Sequence, residues 1–553
     1  MKTTFLNISI AICSGLFYFA DAAVTDNSQQ LIVPLGETYT IHGTHTYSDS
    51  VLIEGTVYVT GYTGSAGTGM LELICPGITI SGQLDGSGRG YRGAGNYQEG
   101  PGVGGYPSGG AGYGGTGGIR GGSSGTGSGP YGTAEGDDIQ MGSGGGDTGG
   151  GLYGGGNGGA MIILSAETLN ITGSGSIAVN GTAGLDSTWG AGGASGGGIF
   201  ISAINTAIAG SLSAAGGRGG NGTWGGGGGA GGRIKVFYCT LNKGGAIFLY
   251  NGGAGGTGSY PGGAGGSGTY YEEQVVFDDV DYLYVPYGVI YEMSGMHQYN
   301  KSAVIVGQVN ITAYNGSADS GQLMLIAPQI NVGGTINGNE RGYRGSGDYQ
   351  EGPGVGGYPG GGAGYGGRGG DSGHGGTGTP AYGTTEHIDI DMGSGGGDTG
   401  GALYGGGNGG AKIILNADNL TVDPDAIVSA NGGAGLSTTW GAGGGSGGGI
   451  LLLADNALLG GTLSVRGGTG GSGTWGGGGG AGGRIKIFSN TLDTTGGTFV
   501  YIGGLAGAGA YPAQPGGTGT LFTGEHLIAD LNHDGMVDIE DFAILSMYWL
   551  ETL

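Results

Sequence analysis

The chain has 553 residues, of which 154 are glycine, about four times the usual share of about 7%. Only 10% of residues are charged, acids outnumber bases 41 to 16, and the formal net charge is −25; this excludes nucleic acid as a partner, since holding phosphates needs a basic surface. With 37% apolar residues the chain is not of the ordinary disordered kind, and with 14 prolines and no Gly-X-Y period it is not collagen.

The first element in chain order is a leader. Met1-Lys2, an apolar run from Ile8 to Phe19 and Ala20-Asp21-Ala22 form the pattern of a secretory signal peptide over 1–22. The run is too short to span a bilayer, and no later stretch is long and apolar enough to do so. The sequence therefore predicts a secreted or cell-surface protein with no transmembrane segment. Cys13 falls in the leader, and two cysteines rule out a disulfide scaffold. One Cys75–Cys239 bridge remains open, although the matching positions later in the chain are Ala327 and Asn490.

A long internal repeat follows. "RGYRGAGNYQEGPGVGGYP" at 89–107 returns as "RGYRGSGDYQEGPGVGGYP" at 341–359, and "TWGGGGGAGGRIK" at 223–235 returns unchanged at 474–486. These matches divide the body into two units, 23–273 and 274–525. Within each, short runs such as "AMIILSA", "GIFISAI", "RIKVFY" and their counterparts "AKIILNA", "GILLLA", "RIKIF" alternate with glycine segments. Runs rich in Val, Ile, Tyr and Phe and bounded by Gly, Asn and Ser are strand signatures. A finer plan of glycines, strand, polar turn, strand and glycines predicts a coil of about 25–30 residues that buries its apolar face only by stacking. The expected fold is all-β: a glycine-rich parallel β-solenoid (β-helix) made of two tandem copies.

The glycines have a role in that fold. They suit places where φ is positive or where backbones pass too closely for a Cβ. Segments such as "GGAGYGGTGG" at 109–118 have a three-residue rhythm expected of extended polyglycine helices lying side by side. A phosphate loop would need G-x-x-x-x-G-K-[ST] leading into a helix. Here the glycines run into Arg-Ile-Lys, expected to start a strand with Arg and Lys outward and Ile inward. A flexible spacer would not recur letter for letter.

Some polar residues recur in both copies: Arg92 and Arg344, Tyr97 and Tyr349, Glu99 and Glu351, Asp147 and Asp398. Two readings stay open. They line a saccharide groove, with Trp189, Trp224, Trp440 and Trp475 as stacking platforms, or they pin the glycine arcs through Arg–Glu pairs and Asx-type turns. "GRIK" at 232–235 and 483–486 and "GHG" at 373–375 resemble two of the four motifs of the polygalacturonase family. The N-T-D motif and its partner aspartates do not occur in suitable positions, and His374 has no match in the first copy. No catalytic residue is assigned.

After Gly524 the glycines nearly stop, and 526–553 reads as a separate module. In "DLNHDGMVDIEDFAILSMYWLETL", Asp530, Asn532, Asp534, Asp538 and Asp541 hold positions 1, 3, 5, 9 and 12 of a loop. Gly535 stands at the sharp turn of position 6, and Met536 offers a backbone carbonyl from position 7. That is an EF-hand-type set of hard oxygen donors for calcium, with a helix expected from Ile539. The segment resembles one calcium-binding repeat of a type I dockerin, in which position 12 is aspartate. The resemblance implies calcium as cofactor and docking onto a cohesin-like or cell-surface protein. The main body resembles glycine-rich β-helix repeats of bacterial surface proteins, through phrases such as "GGGSGGGI" and "GGGGGAGGRI". Together these readings predict a secreted, non-catalytic surface or matrix scaffold, adhesin-like, with an uncharged glycan as the expected ligand. The alternative is a secreted carbohydrate-active protein.

Overall fold

The computed structural model describes residues 23–93, 99–122, 125–148, 154–345, 351–400 and 405–525. Residues 1–22, the expected leader, and 526–553, the expected calcium module, lie outside the described residues. The chain divides into two compact units, Met1–Gln274 and Val275–Leu553. The described residues form strands, turns and glycine-rich segments without a helix, and the protein is all-β with parallel sheets. No helix among them is long and apolar enough to cross a membrane.

In the first unit, nine strands form one sheet and six form a second. Met70–Ile80, Met161–Ile171, Gly198–Ile208, Arg233–Asn242 and Thr269–Gln274 pair in parallel in chain order. Each of the middle three is followed by a short strand of the smaller sheet: Ser176–Ala178, Ser211–Ser213 and Ile247–Leu249. Alternation sets the core. Leu73, Leu164, Ile201 and Val236 lie in one register row and Leu84, Ile177 and Leu212 in another, all fully buried. Each such side chain contributes roughly 1.5–3 kcal/mol. At the start of the unit Thr25–Asp26 folds back antiparallel on Gln30–Val33, which covers an otherwise open sheet edge.

The second unit repeats this plan with ten and six strands, the counterpart of Met70–Ile80 being split into Gln322–Ile326 and Gln329–Val332. Its opening strand Phe277–Asp278 is likewise antiparallel to Tyr282–Val285. Register corrects the expected coil length. Met161 pairs with Gly198, Gly198 with Arg233 and Arg233 with Thr269, offsets of 37, 35 and 36 residues. Lys412, Gly449, Arg484 and Thr520 give the same spacings. The repeat exceeds 25–30 residues because the glycine segment runs out and back before the next strand.

Those glycine segments have an order of their own. Gly190, Ala191 and Gly192 donate their amides to Trp224, Leu185 and Gly146; Gly193, Ala194 and Ser195 then donate to Gly227, Thr182 and Ser143. Three successive amides point to three different neighbours and the cycle repeats, as a helix of three residues per turn requires. In the quoted thirteen-mer, Gly225, Gly226 and Gly227 donate to Tyr260, Gly220 and Ser108, while Gly228, Gly229 and Ala230 donate to Gly263, Gly217 and Ala111. The same segment accepts from Gly193, from Gly256 and Gly253, and from Gly121 and Gly118, so six neighbours surround it. Such a helix makes no internal hydrogen bonds, so its buried amides must find partners outside it. A Cβ on Gly226 would stand 1.9 Å from the Ala191 carbonyl oxygen, and one on Gly227 2.0 Å from that of Gly118. Close approach, rather than positive φ, is what demands glycine here.

Candidate functional site

The tip of each out-and-back segment carries an aromatic residue. Ser187 turns the chain by donating its hydroxyl to the Trp189 carbonyl at 2.7 Å, as Thr438 does to Trp440 at 2.7 Å. Successive tips pair in parallel, Trp189 with Trp224 and Trp224 with Tyr260, then Trp440 with Trp475 and Trp475 with Tyr511. The rings stack with one another. Centroids are 6.2 and 4.2 Å apart in the first unit and 6.2 and 3.7 Å apart in the second. The four tryptophans of the saccharide-groove reading therefore stand in two stacked ladders. Trp224 and Trp475 each lie between two stacked neighbours, and Trp189, Tyr260, Trp440 and Tyr511 are the end rungs.

A cationic or titratable side chain is wedged against the first two rungs of each ladder. The Arg120 guanidinium lies 4.7 Å from the Trp189 ring and 5.4 Å from Trp224, a favourable cation–π geometry. His374 lies 4.0 Å from Trp440 and 4.9 Å from Trp475. His374 has no letter-for-letter match in the first copy, yet Arg120 occupies the corresponding place. Sequence reading also missed Tyr260 and Tyr511. The signal was present: "SYPGG" at 259–263 stands one register offset beyond "TWGGG" at 223–227.

A groove of about 430 Å³ lies beside the second ladder, lined by Tyr358, His374, Thr399, Thr438, Thr439 and Trp440. Tyr358 is 66% exposed and Trp440 40%. Asp398, just behind it, directs Oδ1 at the amides of Thr399 and Gly400.

The other recurrent polar residues hold the fold together. Arg92 grips Glu99 through two hydrogen bonds of 3.0 and 2.8 Å, and Arg344 grips Glu351 at 3.0 and 2.9 Å. The guanidinium in each pair holds its glutamate below the ordinary range. Asp147 accepts from the Thr148 amide, the counterpart of the Asp398 turn. Tyr97 and Tyr349 lie outside the described residues. Cys75 and Cys239 are both buried and form no disulfide, which closes the bridge left open by the sequence; burial pushes the Cys75 thiol up.

The Arg-Ile-Lys segments start strands, and Ile234 and Ile485 enter the core as expected. The outward assignment of Arg and Lys needs correction: Lys235 and Lys486 have no exposure at all. They leave the sheet on its outer face, but the glycine-rich insertion preceding the long strands covers them. Arg233 donates to the carbonyls of Tyr131 and Gly132 at 2.8 and 3.1 Å. Lys235 Nζ lies 2.7 Å from Asp138 Oδ1, and Lys486 Nζ lies 3.0 Å from Asp389 Oδ1. Partial burial alone would raise both carboxyls, but hydrogen bonds from the lysine and from Thr133 or Thr384 outweigh it. Asp138 is thus held well below the usual carboxylate range and Asp389 at about 2. Burial lowers Lys486, against the pull of Asp389.

These pairs set a stability prediction. Asp138→Asn leaves a fully buried ammonium without its counter-ion, expected to cost about 3 kcal/mol. Lys235→Met is expected to cost less, because Asp138 is 39% exposed and regains water. A carboxyl depressed in the folded state contributes stability above its unfolded value, near 4, and loses it as pH falls through the folded value. The gap in urea midpoint between the wild type and Asp389→Asn should be constant above about pH 4 and shrink toward pH 2. A gap that stays constant through that window would refute the pairing.

The expected calcium loop, with Asp530, Asn532, Asp534, Met536, Asp538 and Asp541, lies outside the described residues. Among the described residues, no group of three or more His, Cys, Asp or Glu side chains is placed to hold a metal ion. Compared with protein-family models, curated proteins and solved structures, the chain matches none.

Proposed function

We propose that this protein is an exported, non-catalytic scaffold of the surface or extracellular matrix, with an uncharged glycan as ligand. Its two units are read as parallel β-solenoids whose turns each comprise one long strand, one short strand and an out-and-back glycine arm. The repeated register offsets support that reading. The observation that carries the functional reading is the glycine array, in which the described segments are tied to their neighbours through backbone amides. Such an array needs no ligand, cofactor or disulfide to be rigid, and it displays tip residues at fixed spacing. The tail is the anchoring element in this reading. Asp530, Asn532, Asp534, Asp538, Asp541 and the Met536 carbonyl bind calcium, and the ordered module docks onto a cohesin-like or cell-surface partner.

The recurrent carboxylates support a non-catalytic role, since Glu99 and Glu351 are engaged by arginine and Asp138 and Asp389 by lysine. A glycosidase needs a free pair with separated pKa values. The test is a glycan array run beside a reducing-sugar assay on a panel of plant and bacterial polysaccharides. Retention without sugar release is expected. Release that disappears in the Glu99→Gln, Glu351→Gln double variant, with an unchanged melt, would establish the carbohydrate-active alternative instead.

A further inference from the structure

The groove beside the second aromatic ladder has a composition that selects its ligand. Trp440, the first rung and 40% exposed, lines it together with His374, which packs edge-on against its ring at 4.0 Å. Its rim is mostly hydroxyl, from Tyr358, Thr399, Thr438 and Thr439. None of the lining residues carries a carboxylate, an ammonium or a guanidinium. The nearby Asp398 Oδ1 is already an acceptor for two backbone amides. The volume, about 430 Å³, falls within the range of small-molecule sites, roughly 300–1,000 Å³.

An aromatic face bordered by hydroxyls and without fixed charge suits a molecule having one apolar face and a neutral polar edge. We infer that this groove binds a single neutral hexopyranose unit, stacked on Trp440 and hydrogen-bonded at its rim. The inference deepens the glycan part of the proposed function and rests on it. The ladder itself fixes the length of the ligand. Trp475 is closed off between Trp440 and Tyr511, with rings 6.2 and 3.7 Å away. The middle rung thus separates the two end rungs, so a polysaccharide has no continuous row of platforms to follow. The recognised element is therefore one sugar residue, terminal or projecting as a branch, rather than the length of a chain.

The experiment uses the full chain with methyl glucoside, methyl galactoside, methyl mannoside and N-acetylglucosamine, each compared with its di- and trisaccharide. Binding is read by saturation-transfer NMR and calorimetry. At least one monosaccharide should bind at millimolar concentration, with little gain from added residues. Trp440→Ala should weaken it roughly five- to a hundred-fold, the range for losing an aromatic stacking partner, while Trp440→Phe retains most of it. Tyr511→Ala, at the far rung, should leave affinity unchanged. The inference is overturned if no neutral sugar binds, if Trp440→Ala binds as well as the wild type, or if a purine nucleoside competes better than any sugar. It is also overturned if affinity climbs steeply with chain length and falls in Tyr511→Ala. Sugar release in the same samples would count against the scaffold reading alone, leaving the stacking site in place.

Discussion

Gly226→Ala is expected to cost about 3 kcal/mol or more, at the upper end of what overpacking does. The added Cβ would stand 1.9 Å from the Ala191 carbonyl oxygen and 2.5 Å from its carbon. Backbone cannot rotate away as a side chain does, and Ala191 is held by its own bond to Leu185. Relief would require separating two glycine helices, each tied to further neighbours. Two controls isolate the cause. Gly173 meets nothing within 4 Å, so Gly173→Ala should be neutral or stabilise by about 0.4–1 kcal/mol through the unfolded chain. Ala230, four positions from Gly226 in the same segment, is fully buried and already holds a Cβ. Ala230→Gly should cost about 0.5–1 kcal/mol. Urea denaturation followed by circular dichroism measures all three. If Gly226→Ala melts like Gly173→Ala, the segments are spacers and the array does not hold the arms.

This contrast also marks what the sequence discloses. Strands such as Met161–Ile171 were legible because alternating Ile and Leu between glycines has one simple physical solution, a pleated face turned to a core. The three-residue rhythm of the glycine segments was legible for a similar reason, since identical recurrence with so few side chains points to backbone packing. Coil length was misjudged because both arms of a segment are glycine-rich, and nothing local marks the point where the chain turns back. Trp189 and Trp224 stood out as residues, but their mutual stacking depends on the register between arms 35 residues apart, which no local pattern encodes. Lys235 read as solvent-facing because a strand alternates, and alternation does not reveal that a distant insertion covers the outer face. The equal separation of Asp138 from Lys235 and of Asp389 from Lys486, 97 residues in each copy, was the available sign of that long-range pair.

Calcium titrated into the metal-free full chain should show one site, with an affinity of roughly 10⁻⁴–10⁻³ M, as in extracellular calcium modules. On the proposed reading five side chains and the Met536 carbonyl would supply six oxygen donors, within the 6–8 that calcium accepts. Without an ion, Asp530, Asp534, Asp538 and Asp541 bring four like charges into twelve residues, and their repulsion would oppose the turn expected at Gly535. On the proposed reading calcium would offset that repulsion, so that binding and ordering of the segment would be one event. Position 12 carries Asp541 where the tightest loops have a longer, bidentate glutamate, which keeps the affinity modest. Magnesium should compete weakly, because it demands a smaller octahedron and gives up its water reluctantly. Asp530→Ala or Asp541→Ala should each weaken binding at least about 100-fold, more than loss of an outer-layer partner does. Neither should move the melt of the glycine-rich units, which contain none of these residues. Calcium should also raise helical signal in the wild type and leave both variants unchanged. If calorimetry finds no site at millimolar calcium, or the variants titrate like the wild type, the tail is no calcium module. The anchoring half of the proposed function would then lose its support, while the glycine scaffold would keep its own.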